Sequence, residues 1–267
     1  MTTRRDIYYI SGNTTILAKD MAKALLSQFP NNKFHEESIP FIRNAEDAEK
    51  ALEKILNQSA GRFPIIISSL FSVNLNALFN RPELHLFTIC DQLLTRMEKI
   101  LGTPAIRQPG TSRIQDDVTL ANRVNAIHFT ISHDDGTGIN DYDDAELIIV
   151  GVSRSGKTPV AVFIATQQGI KTANHPLIET DLNNCLLPAA IRRNRHKVVG
   201  LSINPLALHK FRESRFPGSR YAQLSTCKRE LEQANRIYDK YKLFVVQSGG
   251  SSIEETAMQV VRELNRK

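Results

Sequence analysis

Apolar residues along the first hundred positions follow two alternating spacings. Short apolar runs indicate β-strands, and apolar residues three or four positions apart indicate amphipathic helices. The strand-like runs are residues 6–11, 35–39 and 64–69. The helix-like stretches are residues 17–26, 45–57 and 84–101. Because strands and helices alternate, the pattern predicts a parallel sheet covered by helices.

A stretch without periodicity separates this block from a second one. Residues 102–117 gain Gly, Pro, Ser and Arg, which is typical of a linker, and alternation resumes at about Ile127. The later strands are predicted at 147–150, 198–203 and 243–246, and the later helices at 205–215, 219–241 and from 251 onward. The sequence therefore predicts an α/β protein with two domains. These are an N-terminal α/β domain with a parallel sheet (1–105) and a C-terminal α/β domain (127–267), joined by a linker (106–126).

The most specific motif lies between the strand at 147–150 and the helix that follows it. Its residues are Gly151, Val152, Ser153, Arg154, Ser155, Gly156, Lys157 and Thr158, which fit the pattern G-x-x-x-x-G-K-[ST]. In such a loop, backbone N–H groups and a helix N-terminus face a polyphosphate. We expect Lys157 to reach the terminal phosphates and the Thr158 hydroxyl to ligate Mg²⁺. The motif therefore predicts that the C-terminal α/β domain (127–267) is of the phosphate-loop kinase type. The alternative is an ordinary glycine turn.

A second polar cluster, His133-Asp134-Asp135-Gly136, precedes this loop. Asp-Asp-Gly is commonly no more than a surface turn. The functional alternative is a general base and a metal ligand, because phosphoryl transfer to a hydroxyl needs a nearby carboxylate and Mg²⁺ prefers carboxylate oxygens. The strand-like run 198–203 ends in Asn204 rather than Asp. Asp134 or Asp135 is thus a candidate for the missing carboxylate.

The formal net charge of +6 permits nucleic-acid binding, but the positive charge is spread thinly. Its one dense cluster is 192–197, Arg-Arg-Asn-Arg-His-Lys, which is either a solvated loop or a contact for phosphate or an acidic partner. Aromatic residues make up only 7% of the chain and no aromatic-interleaved RNA motif occurs, so we expect no nucleic-acid partner.

The sequence contains no signal for a membrane or for disulfides. It has no apolar run of about 18 residues, and its first residues do not resemble a signal peptide. Cys90, Cys185 and Cys227 are odd in number and far apart, which is typical of idle thiols in a reducing compartment. We therefore expect a cytoplasmic protein without a membrane partner.

Five segments together resemble a known family. They are HDDG (133–136), GVSRSGKTP (151–159), ANHPL (173–177), SRYA (219–222) and IEETA (253–257). The combination is similar to the bacterial bifunctional kinase–pyrophosphorylases that regulate phosphoenolpyruvate synthase or pyruvate, phosphate dikinase. The pair Gly156-Lys157 resembles the synthase branch. One departure is the run Ser11-Gly12-Asn13-Thr14, because the family usually carries an Asp after the first strand.

This resemblance implies two opposing reactions at one site. In the first, ADP gives its β-phosphate to a threonine of the target enzyme and leaves as AMP. In the second, inorganic phosphate attacks the phosphothreonine and releases pyrophosphate. The residues implied for the chemistry are Asp134 or Asp135 as base, with Lys157 and Arg154 neutralising phosphate charge. Phosphoenolpyruvate synthase is the implied protein partner, and 192–197 is a candidate for part of its docking surface.

Rival functions remain open on the sequence alone. A small-molecule kinase or nucleotide hydrolase would use ATP on the same loop without a protein acceptor. A binding module would hold nucleotide without transferring phosphate, and a basic RNA-binding protein would lose affinity steeply with salt. The same activity on pyruvate, phosphate dikinase and a homodimeric assembly are also open.

Overall fold

The computed structural model describes residues 5–108 and 117–264. The chain divides into two compact units, Met1–Ile114 and Gln115–Lys267. Helix α5, Asp117–Ser132, begins the described part of the second unit. The predicted linker at 106–126 is therefore wrong over its last ten residues, which are helical, and residues 109–116 lie outside the described residues. The helix was missed because its apolar residues do not gather on one face.

The first unit is a parallel sheet of four strands in the order β2-β1-β3-β4. Its strands are β1 Arg5–Ile10, β2 Phe34–Ile39, β3 Ile65–Ser68 and β4 His85–Thr88. Its helices are α1 Ile16–Leu26, α2 Ala45–Ser59, α3 Val73–Leu78 and α4 Ile89–Leu101. The expected single helix over 84–101 is wrong at its start, where the residues form edge strand β4. Helix α3 was not predicted from the sequence.

The sheet of the first unit is covered on both faces. Tyr8 and Ile10 point into one apolar cluster, while Ile7 and Tyr9 point into the other. Side chains of a strand alternate between faces, so a strand buried on both faces is a continuous apolar run. This explains why β1 could be recognised from the sequence.

The second unit repeats the arrangement, with strands in the order β6-β5-β7-β8, all parallel. Its strands are β5 Leu147–Gly151, β6 Thr172–Pro176, β7 Val198–Ser202 and β8 Phe244–Gln247. Its further helices are α6 Lys157–Gln168, α7 Glu179–Asn184, α8 Ala189–Arg193, α9 Pro205–Arg215, α10 Leu224–Tyr241 and α11 Ile253–Leu264. The prediction of an α/β fold with parallel sheets is confirmed.

Strand β5 lies in the middle of the second core and fixes where a ligand site can form. Ile148 and Val150 belong to one apolar cluster and Leu147 and Ile149 to the other. The chain leaves β5 for β6 on one side and later returns to β7 on the other, so the strand order reverses beside the carboxyl end of β5. In open α/β sheets, ligands bind at such a switch point.

Within the two described stretches of the chain, no helix is both long and apolar enough to cross a membrane.

Candidate active site

The loop 151–158 lies at the carboxyl end of β5 and runs directly into α6, as the motif predicts. Its backbone adopts left-handed geometry at Gly156 (φ 94°) and at Arg154 (φ 72°). Gly151 has no room for a side chain, because an added Cβ would lie 2.4 Å from the carbonyl oxygen of Leu201 on β7. The first-turn N–H groups of α6 have no partner within the helix and form its positive dipole end.

Lys157 is the buried cation of this loop, with only 4% of its surface exposed. Its Nζ donates a hydrogen bond to the carbonyl oxygen of Val152, 3.1 Å away. Burial lowers the pKa of Lys157 to about 8, although the carboxylates of Asp135 and Asp134 oppose this shift. An anion that entered the loop would favour the charged form of this lysine.

Arg212 on α9 is completely buried and contacts the phosphate loop. Its guanidinium donates to the carbonyl of Ser153 at 3.0 Å and pairs with Glu230 at 2.7 Å. The guanidinium carbon also lies 4.0 Å from the ring centre of Tyr221, whose hydroxyl donates to Ser153 Oγ at 2.9 Å. Tyr221 belongs to the SRYA segment, which therefore acts as a support for the loop.

Ser248, just after β8, supports the opposite side of the loop. Its hydroxyl lies 2.7 Å from the carbonyl of Ser155 and 3.1 Å from that of Ser202. Sequence reasoning missed both Arg212 and Ser248. They lie 59 and 93 positions from their loop partners, so no local pattern links them to the motif.

The acidic loop of HDDG meets the phosphate loop through Asp134. The Thr158 hydroxyl donates to Asp134 Oδ1 at 2.9 Å. The side-chain amide of Asn174 on β6 donates to the same carboxylate and lies 3.2 Å from Thr158 Oγ1. Asn174 Oδ1 accepts the backbone N–H of Asp135 at 3.3 Å. Asn174, a residue that sequence reasoning did not single out, thus ties the two loops together.

The two carboxylates occupy different positions. Asp134 is partly buried against Thr158, whereas Asp135 is exposed and lines the cavity in front of the phosphate loop. Asp135 also has left-handed backbone geometry (φ 53°). The HDDG segment is therefore a turn, and it also places two carboxylates beside the phosphate loop. The structure brings Asp134, Asp135, Lys157 and Thr158 into one site.

Two histidines lie behind the acidic loop. His133 stacks on Phe129, with ring centres 3.8 Å apart, and its Nδ1 lies 2.8 Å from the Phe129 carbonyl oxygen. His175 on β6 is buried, and its Nε2 lies 3.6 Å from the carboxylate of Asp181. Burial lowers the pKa of His175, while Asp181 opposes the shift. Both rings fill the core behind the site.

Arg154 is exposed at the tip of the phosphate loop and lines the cavity. Across the described residues, no group of three or more His, Cys, Asp or Glu side chains could hold a metal ion. The sequence offers the Thr158 hydroxyl with Asp134 or Asp135 as metal ligands, and of the two acids Asp134 is the one in direct contact with Thr158.

The basic stretch 192–197 does not lie beside the phosphate loop. It ends just before Val198, at the amino end of β7, whereas the loop follows the carboxyl end of the parallel strand β5. The two edges are separated by the length of the strands, roughly 15 Å. Part of the stretch is also structural, since Asn194 donates to Asp143 and Lys197 donates to the carbonyl of Asp143 at 2.7 Å. Its role as part of a docking surface for the target enzyme stays a prediction.

The departure at Ser11-Gly12-Asn13-Thr14 lies in the first unit, after β1. These residues line a separate cavity of about 610 Å³ with Arg43.

A glycine-rich loop between a buried parallel strand and a helix, followed by lysine and threonine, defines the second unit as a phosphate-loop α/β domain. The chain belongs to the kinase/pyrophosphorylase family, whose model matches residues 7–261. It is 55% identical over 263 residues to a protein of Desulfotalea psychrophila, covering 98% of this chain and 97% of that one. It is 35% identical over 266 residues to a protein of Alteromonas mediterranea, covering 98% of both chains. Both relatives carry the provisional name phosphoenolpyruvate synthase regulatory protein.

Proposed function

We propose that this protein is a bifunctional regulator of phosphoenolpyruvate synthase. It phosphorylates a threonine of the synthase with ADP as donor, and it removes that phosphate with inorganic phosphate, releasing pyrophosphate. The names of the relatives and of the family support the target and the pair of activities. The observation that carries the chemistry is the meeting of Thr158 and Asp134, with Asp135 and Lys157 at the same loop.

The loop holds the phosphates of ADP in this proposal. Backbone N–H groups at the start of α6 and the Lys157 ammonium neutralise the negative charge, and Arg154 approaches from the exposed side. Lys157 is well placed for this because it is buried, so its charge acts through a medium of low dielectric.

The donor set at Thr158 fits Mg²⁺. One hydroxyl and one carboxylate oxygen lie side by side, and Mg²⁺ is usually held by one or two carboxylates together with phosphates of the substrate. Thr158 and Asp134 would hold it. When bound, the ion neutralises charge on the phosphates during transfer.

Asp135 serves as the base, because it faces the cavity while Asp134 is engaged with Thr158. The threonine oxygen of the target forms a bond to the β-phosphorus of ADP, and the bond from that phosphorus to the bridging oxygen breaks. AMP leaves with the bridging oxygen, and the threonine proton passes to Asp135.

The reverse reaction uses the same groups. An oxygen of inorganic phosphate forms a bond to the phosphorus of phosphothreonine, and the bond to the threonine oxygen breaks. Protonated Asp135 returns a proton to that oxygen, and pyrophosphate remains in the loop. A site that holds two linked phosphates therefore serves both directions.

The different positions of the two acids give a direct test. Asp135→Asn should abolish threonine phosphorylation while the Kd for ADP changes less than threefold. Asp134→Asn should instead raise the Mg²⁺ concentration needed for half-maximal activity. Asp141→Asn, at another exposed acid of the second unit, is the matched control.

Full kinase activity in the Asp135→Asn variant would refute its role as base. Chromatography of the spent nucleotide tests the donor at the same time. ATP converted to ADP without a protein acceptor would support a small-molecule kinase or nucleotide hydrolase in place of the proposed function.

A further inference from the structure

The cavity in front of the phosphate loop is much larger than two phosphates need. Its volume is about 920 Å³, and it extends from the loop to a wall formed by α9 and the start of α11. Cavities of roughly 300–1,000 Å³ hold ligands of drug size rather than small anions. The part of the cavity beyond the loop therefore has room for another portion of the ligand.

Two large aromatic side chains line this outer part while remaining accessible to solvent. Phe211 is 56% exposed and Phe216 is 49% exposed, and both lie on or directly after α9. Ile253, at the first position of α11, also lines this part of the cavity. Exposed aromatic faces beside a phosphate site are suited to a flat, apolar ring system, because a nucleobase stacks on them through its π-face.

The position of Phe216 is linked to the phosphate loop by direct contacts. Its ring meets Tyr221 edge-to-face, with centres 6.0 Å apart and an interplanar angle of 80°. Tyr221 in turn donates to Ser153 of the loop and lies against the guanidinium of Arg212. Phe216 is thus connected to the phosphate loop through Tyr221.

We propose that Phe211 and Phe216 form the base subsite of this enzyme, where the adenine ring of ADP stacks while its phosphates occupy the loop. The inference rests on the proposed function, because it takes a nucleoside diphosphate as the ligand. Stacking gives the enzyme a way to hold ADP that pyrophosphate does not share, although both fit the loop. The base subsite thus lets the enzyme distinguish ADP, the donor of the kinase reaction, from pyrophosphate, the product of the reverse reaction.

The test compares ADP with pyrophosphate, which has the phosphates but no base. Calorimetry is performed on the full chain with the substitutions Phe211→Ala and Phe216→Ala, separately and together. The Kd for ADP should rise about tenfold or more in the double variant, while the Kd for pyrophosphate should change less than twofold. Phe216→Tyr keeps an aromatic face and should bind ADP nearly as well as the wild type.

Phe244→Ala is the matched control. Phe244 is 43% exposed and lies at the amino end of β8, the edge of the sheet opposite the loop. It should leave both affinities unchanged. Circular dichroism verifies that every variant is folded, which is expected because the substituted side chains are exposed.

Two outcomes would overturn the base subsite. An unchanged Kd for ADP in the double variant would show that the base lies elsewhere, and a raised KM for the protein target in the same variant would assign the rings to target docking. Equal losses for ADP and pyrophosphate would show that the rings act only through the loop. By contrast, a wild-type protein that binds neither ADP nor pyrophosphate would refute the proposed function itself.

Discussion

Raising the pH through 8 should weaken ADP binding, because the buried lysine of the phosphate loop loses its charge. Burial lowers the pKa of Lys157 to about 8, from an ordinary value of about 10.4. Only the protonated ammonium attracts phosphate. Bound phosphates favour that form, so binding at pH 8 should take up about half a proton per site.

The magnitude follows from the charged fraction of Lys157 in the free protein. With a pKa of about 8, that fraction is about 0.9 at pH 7 and about 0.1 at pH 9. If binding requires the charged form, the affinity for ADP falls about tenfold over this range, which corresponds to about 1.4 kcal/mol. ADP itself changes little, because phosphate groups of this kind titrate near pH 6.

The lowered pKa also fixes the sign of the effect on stability. The charged form of Lys157 costs folding free energy below pH 8, and this cost is relieved as the pH rises from about 8 toward the ordinary lysine value. Raising the pH should therefore stabilise the free protein through this group while it weakens phosphate binding. General unfolding would instead lower stability and binding together, so the opposite changes in these two quantities identify loss of the lysine charge.

Isothermal titration calorimetry measures both quantities. ADP is titrated at pH 7, 8 and 9 in two buffers with different ionisation enthalpies, which gives the affinity and the proton uptake. Lys157→Arg is the control, since arginine stays charged throughout this range. Equal affinity of the wild type at pH 7 and pH 9, or the same pH dependence in Lys157→Arg, would refute the reasoning.

Three further substitutions test how the site is held together. Arg212→Leu leaves Glu230 without its buried partner, so the free energy of unfolding in urea should fall by about 3 kcal/mol; a loss below about 1 kcal/mol would contradict the supporting role. Gly151→Ala places a Cβ 2.4 Å from the Leu201 carbonyl, and should lower stability by about 1–3 kcal/mol in the same assay, whereas an unchanged midpoint would show that the loop has room. Asn174→Leu removes the amide that joins the two loops, and should lower threonine phosphorylation at least tenfold while ADP binding in calorimetry changes less than threefold. Equal losses of binding and phosphorylation would show that Asn174 supports the loop as a whole.

The central strands β1, β5 and β7 could be predicted because they are buried along nearly their whole length. Strand β5 is an unbroken apolar run, and the loop after it carries its glycines and lysine in consecutive positions. Strand β6 was missed although its first four residues are buried, because it includes the polar residues Thr172, Asn174 and His175. Those side chains are tolerated there because Asn174 is hydrogen-bonded to the acidic loop and His175 lies beside Asp181.

Side chains that support the site from distant positions in the chain could not be predicted from the spacing of residues in the sequence. Arg212 reads as an ordinary charged residue of a helix, yet the fold buries it beneath Ser153, 59 positions away. The distinction between Asp134 and Asp135 was equally hidden, since it depends on a left-handed backbone at the second residue and on Asn174 from another strand. Charge density along the chain likewise did not reveal that the basic stretch 192–197 lies at the amino end of β7.

The most direct test of the proposed activity follows the β-phosphate of ADP. The protein is incubated with purified phosphoenolpyruvate synthase and ADP labelled in the β-phosphate, and both the synthase and the nucleotide are then analysed. We predict label on a threonine of the synthase, AMP in equal amount, and neither product with the Lys157→Ala variant. Adding inorganic phosphate should then release the label as pyrophosphate. Label that stays in the nucleotide, or an unlabelled synthase with ATP consumed instead, would contradict the proposal.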